Sequence, residues 1–275
     1  QPVGGGLEAR PQSLQQLDGQ IAPAPRDGPF FEPFRRQPPE FSAGEFATYQ
    51  QRAEEAIATE VLPALRRLRA FMADELMPAA PPSGGLARYP GGAEVYAELV
   101  RLNTTTNLTP QQVHDIGLRE MARLRGEFAA VQKAMNFDGT FAQFVAHLNG
   151  PQYKFASPEA MLEGYRSIAK RIDPEMPALF AELPRSPYGI RPMPSFLGPA
   201  AADNYSPPPA DGSGPGWHNA NVLAYTRRPR WALPTLLAHE TVPGHHLQSA
   251  RAREIGKLPE FRRHGFYTAY GEGWA

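Results

Sequence analysis

The sequence predicts a mainly α-helical chain with a small β element beside one histidine-bearing helix, and three observations carry that reading. Apolar residues recur at three- and four-residue steps behind two helix-start signals, after Ser42 and after Thr109. Prolines crowd 184–230 and leave only short β-prone runs, at 188–190 and 221–226. An apolar run, WALPTLLA at 231–238, leads directly into HETVPGHHLQ at 239–248.

Residues 1–41 are rich in Gly, Pro and Gln without sustained periodicity, so they read as an extended or poorly ordered lead-in. A helix is expected from Ser42, with Glu45 three residues on completing a capping box. Its stripe runs Phe46, Tyr49, Ala53, Ile57, Val61, Leu65, Leu68, Met72 and Leu76; Pro63 should kink it and Pro78 end it. A Gly/Pro loop at 81–92 leads to a short helix over 94–101. Thr109, Pro110 and Gln112 open the next helix, whose stripe of Val113, Ile116, Met121, Leu124, Phe128, Val131 and Met135 is expected to be core. Ser157-Pro158 and Asp173-Pro174 start two more, and His114 and His147 read as structural or exposed. The expected organisation is a lead-in (1–41), a helical domain (42–183) and a metal-site region (184–275).

Composition excludes several functions. Twenty-eight basic and 28 acidic residues balance, so no basic excess exists to neutralise nucleic-acid phosphates. With no cysteine there are no disulfides or thiolate ligands, and any metal must be held by imidazole and carboxylate. No signal peptide or membrane span is visible. A length of 275 residues suits one large or two small domains.

Within HETVPGHHLQ, a histidine is followed at once by a glutamate, and two more histidines follow a Pro-Gly break. In a plain HExxH the two histidines stand one turn apart, but here that fourth position is Pro243. On a straight helix His245 would lie about 9 Å along the axis from His239 and about 120° around it; His246 would lie about 10.5 Å away. Neither could share an ion with His239. A break at Pro243-Gly244 absorbs the excess and returns His245 to the metal side, with His246 pointing elsewhere, toward supporting or substrate contacts. Catalytic zinc usually takes three protein ligands, and Glu272 in YGEGWA is the best third candidate; Glu254 and Glu260 sit in polar surroundings and read as solvated. Glu240, beside His239, is placed to take the proton of the attacking water. Tyr270, Tyr267 and Tyr205 are candidates to hydrogen-bond the oxyanion, with Tyr270 preferred; Asn221 and Tyr205 join His246 as supporting or substrate-contacting residues. Arg227, Arg228 and Arg230 read as solvated surface or as a receiver for a substrate carboxylate.

These segments resemble the bacterial domain-of-unknown-function family 885, whose hallmark is HExxPGHHLQ with a later EGWALYAE. The resemblance extends over 85–124, 179–194 and 205–222. One departure is Gly214 of DGSGPG, where the family tends to carry arginine. The resemblance implies a zinc-dependent peptidase of the gluzincin kind, with His239, His245 and Glu272 as ligands of one zinc ion and Glu240 as base. It favours a periplasmic or secreted location. It also implies that a chain starting at Gln1 and ending three residues after Glu272 is a fragment. The expected reaction is hydrolysis of a peptide substrate. A metal-binding protein without turnover and a helical interaction module are the rival readings.

Overall fold

Residues 5–80, 84–209, 211–256, 258, 259, 261, 262, 265 and 267–275 are described by the structure, a computed structural model. They form two compact units, one from the described residues of 1–85 with 194–201, the other from 86–193 with 202–275. The structure is mainly helical, with one three-stranded sheet.

In the first unit, helix α1 (Gly5–Ile21) occupies part of the stretch expected as an extended lead-in over 1–41, of which residues 1–4 lie outside the described residues. Its Leu, Glu, Ala, Arg and Gln residues are good helix formers, and they outweigh the glycines and proline that suggested a coil. Helix α2 (Ala43–Ala56) starts with the expected box: Glu45 N–H donates to Ser42 Oγ at 3.3 Å, and Ser42 N–H donates to the Glu45 carboxylate at 3.0 Å. A π-turn, Ile57–Val61, precedes α3 (Leu62–Phe71), and a second, Met72–Leu76, precedes α4 (Met77–Ala79). Each proline then falls in the first two positions of a new helical segment, where a missing donor costs least. Phe31, Ile57 and Leu62 form the buried cluster of this unit.

The second unit holds α5 (Gly92–Thr104), α6 (Pro110–Ala134), α7 (Phe141–Leu148), α8 (Pro158–Ile172) and α9 (Met176–Leu179). Capping boxes open α6, with Thr109 and Gln112, and α7, with Thr140 and Gln143. The α6 stripe corrects the sequence reading, because no residue of that helix is buried. Met121, Phe128 and Val131 all stay exposed. The periodicity does make a helix, but burial also needs extensive facing contacts; Phe128 meets the Phe141 ring of α7 at 5.6 Å, and the described residues still leave the face largely exposed.

The sheet runs β1 (Tyr188–Pro192), β3 (Gly216–Ala220), β2 (Asn204–Ser206), with β1 parallel and β2 antiparallel to β3. The first β-prone run is therefore a strand, but the second is not: residues Val222–Ala224 form a 3₁₀ turn, and the strand lies just before it. Met161, Tyr165, Ile168 and Ala169 of α8 pack on Ala220 and on Leu233 and Leu237 of α10 (Leu233–Glu240). That packing seats the helix bearing His239. No helix of the described residues is long and apolar enough to cross a membrane.

Leu237 is fully buried two residues before His239. Leu237→Ala should cost roughly 2–5 kcal/mol in urea unfolding. A loss under about 1 kcal/mol would show that α10 is not seated by this core.

Candidate metal centre

The helix breaks where the Pro-Gly pair was expected to break it. Helix α10 ends at Glu240, and α11 (His245–Glu254) starts afresh after Gly244. Thr241 closes α10 by donating both its N–H (2.8 Å) and its hydroxyl (2.6 Å) to the Leu237 carbonyl. The Val242–Pro243 peptide is cis. Gly244 N–H donates to the Ala238 carbonyl at 2.9 Å, so the chain doubles back against the helix it has just left. A Cβ at position 244 would lie 2.6 Å from the Ala238 oxygen and closer still to that of His239. Only glycine fits there.

The fold-back brings the His239 and His245 rings to 4.6 Å between centroids, in edge contact. Glu272, on α12 (Thr268–Trp274), completes the group: its Oε2 stands 3.6 Å from His239 Nε2 and 3.7 Å from His245 Nε2. All three ligand atoms lie within 4.8 Å of one another. Both carboxylate distances are too long for hydrogen bonds, and they are nearly equal. Tetrahedral ligands about 2.1 Å from an ion stand about 3.4 Å apart, close to both carboxylate distances, so the group could hold a metal ion. The expected Glu240 lies at the end of the same helix, buried, and burial pushes its carboxyl up to about 7. The Asp203 and Glu272 carboxylates add to that rise, while His239 and Arg228 oppose it.

His246 points away from the triad. Its Nε2 donates to the Ser186 carbonyl at 3.0 Å, because a carbonyl can only accept. Nδ1 is then left to accept from the Tyr205 hydroxyl at 2.8 Å. Burial keeps this imidazole below its usual pKa, hence neutral, and pushes Tyr205 up to about 12, hence protonated. The Tyr205 ring stacks on His245 at 6.4 Å, and its hydroxyl is engaged by His246. Gly216 makes room: a Cβ there would meet His246 Nδ1 at 2.8 Å and the Tyr205 hydroxyl closer still. Tyr270 and Tyr267 are exposed.

Glu254 also differs from expectation. Its side chain is only 9% exposed and accepts the N–H groups of Arg185 (2.7 Å) and Ser186 (3.3 Å). Glu260 lies outside the described residues. Arg228 is not a solvated cation: it donates to Asp203 Oδ1 at 2.5 Å, beside Tyr165, whose hydroxyl donates to Asp203 Oδ2 at 2.7 Å. Asn221 joins the same buried cluster by donating its N–H to Asp203 at 3.0 Å. Arg230 donates to the Lys154 carbonyl at 3.0 Å.

His218, which the sequence reading did not single out, is fully buried 3.5 Å from Asp203, with no hydrogen bond to the described residues at either ring nitrogen. Burial pushes it down to about 4; Asp203 opposes this and Arg228 adds to it. The signal was present in GPGWHN, a histidine at an inward strand position, but nothing in the spacing tied it to Asp203.

Two outcomes follow from this geometry. Gly244→Ala should destabilise the fold by roughly 1–3 kcal/mol or more, since the added carbon meets backbone; an unchanged urea midpoint would contradict the fold-back. His218 binds its proton more weakly folded than unfolded, so stability should fall with pH below the unfolded value near 6.5, down to about 4. Its share between pH 7 and pH 5 is roughly 2 kcal/mol. Unfolding of wild type and His218→Leu at both pH values tests this, and equal pH slopes would remove His218 as the cause.

Among solved structures, the chain is similar to one described as "the putative lipoprotein from Colwellia psychrerythraea", with a TM-score of 0.85 and 25% identity. The match covers 95% of this chain and 46% of that one, so the chain spans about half the length of that protein. No curated protein matches the sequence. The family described as "Bacterial protein of unknown function (DUF885)" matches residues 8–275, which takes in the elbow, the three prospective ligands and both compact units. The chain belongs to that family.

Proposed function

We propose that the protein is a zinc-dependent hydrolase that cleaves peptide bonds. The observation that supports this most is the Glu272 carboxylate, nearly equidistant from two imidazoles and beyond hydrogen-bond reach of both. That arrangement suits a shared ion better than a hydrogen-bonded pair. His239, His245 and Glu272 would hold the zinc, which supplies Lewis acidity and lowers the pKa of a water.

The remaining steps belong to the chain itself. Glu240 is the carboxylate nearest in sequence to His239, and its raised pKa suits a base working near neutral pH. It would accept the water proton and return it to the leaving amine, which must be protonated for the C–N bond to break. Tyr205 and His246 would orient His245, through the stacked ring and their mutual hydrogen bond. The hydrogen bond to the carbonyl oxygen under attack falls to Tyr270 in this reading, since the Tyr205 hydroxyl is engaged and that of Tyr270 is exposed on the helix carrying Glu272. The lipoprotein description of the Colwellia structure belongs to that protein; it supports a periplasmic or secreted location for this one.

The test is metal content together with peptide turnover. Purified protein should carry close to one zinc per chain, and a chelator should abolish hydrolysis of a peptide library. Glu240→Gln should keep the zinc while turnover falls roughly 10²- to 10⁴-fold. Zinc bound without any turnover would make this a metal-binding protein, and absence of zinc would remove the reading altogether.

A further inference from the structure

Glu272 reaches the histidine pair from a helix of its own, α12, separate from the two that carry the histidines. Gly271 and Gly273 flank it and add backbone freedom. The side chain is half exposed, so burial does not fix the carboxylate either. Gly271, in the middle of α12, is buried, and two side-chain hydrogen bonds tie the helix to its surroundings. At the first turn, the Thr268 hydroxyl hydrogen-bonds Asn103 Oδ1 on α5 at 2.9 Å. At the last, the Trp274 indole Nε1–H donates to the Pro243 carbonyl at 2.7 Å. The indole also lies 6.3 Å from the Phe180 ring, and Phe180 packs on the buried cluster of Met176, Val242 and Leu247 around the elbow.

We propose that Trp274 is the positioning residue that holds Glu272 at the metal centre. It does so through the backbone turn that sets the spacing of the two histidines. Gly244 N–H fixes that turn against α10, and the Pro243 carbonyl, one residue earlier, receives the indole. All three prospective ligands are thereby referenced to one short stretch of chain, 241–244. The indole N–H is the part of Trp274 that engages the turn, while its ring lies beside Phe180. This inference rests on the zinc reading above.

The test uses Trp274→Phe, which keeps an aromatic ring against Phe180 and deletes the donor. Zinc affinity is read by competition with a chromophoric chelator, and folding by thermal unfolding of the metal-free protein. The variant should melt close to wild type yet bind zinc about 3- to 10-fold more weakly, the share expected of one lost hydrogen bond. Equal zinc affinity in the two proteins overturns the proposal. Wild type that binds no zinc overturns the function reading instead, so the two failures are distinguishable.

A second measurement needs no variant. In wild-type protein with 15N-labelled indoles, zinc should shift the Trp274 N–H resonance and slow its exchange with solvent. Trp217 and Trp231 serve as internal references. An unmoved Trp274 resonance at saturating zinc also overturns the proposal.

Discussion

Gly244 presses its backbone against the last turn of α10, donating to the Ala238 carbonyl in space that no side chain could share. Most of the centre depends on that contact. It ends one helix and starts another within four residues, and it returns His245 to His239 although six positions separate them in sequence. An unbroken helix would put the two imidazoles on different faces. A flexible loop could bring them together, but would lose the arrangement to conformational entropy. The fold-back avoids both outcomes, because Thr241 and Gly244 each direct a donor into carbonyls that the helix end leaves unpaired.

Two sets of interactions keep α11 in register after the turn. The backbone of Ser186 is gripped from both sides, its carbonyl by His246 and its N–H by Glu254, from near opposite ends of the same helix. Tyr205 then spans from β2 to the helix, stacking on one histidine and hydrogen-bonding the next. In the same unit, Asp203 gathers Arg228, Tyr165 and the Asn221 N–H, while His218 stays neutral and unpaired beside them. The cost of burying Asp203 is offset by three donors, and the Glu240 carboxyl responds to the charges of both Asp203 and Arg228.

Local chemistry was legible in the sequence, and long-range chemistry was not. Ser42 with Glu45 and Thr109 with Gln112 announce helix starts because capping needs only residues three apart. Pro243-Gly244 announces the break because a missing donor and a missing Cβ act on the chain's own preceding turn. The partners of Glu254 and Arg228 were not legible: an acidic residue in RARE and a basic one in RRPR look solvated until a backbone 69 residues away, or a carboxylate 25 away, meets them. The α6 stripe shows the opposite limit. Its period specifies a helix and a face, but not whether the described residues supply something to cover that face. The strand was misplaced by a few residues because 216–220, with its glycine and asparagine, has weaker strand propensity than the run after it, and pairing with Tyr188–Pro192 overrode that preference.

The double grip on Ser186 also limits how the loop before it can vary in length. One residue added between Glu240 and His245 would fall in the non-helical turn and would have to be accommodated against the contacts that Thr241 and Gly244 make with α10. Any resulting shift of α11 would move His245 from the triad, and in the same step would draw His246 from the Ser186 carbonyl and Glu254 from the Ser186 N–H. A change in length across 241–244 therefore acts on the triad and on the anchoring of α11 together. In this part of the fold the number of residues is constrained as well as their identity, which at 244 admits only glycine.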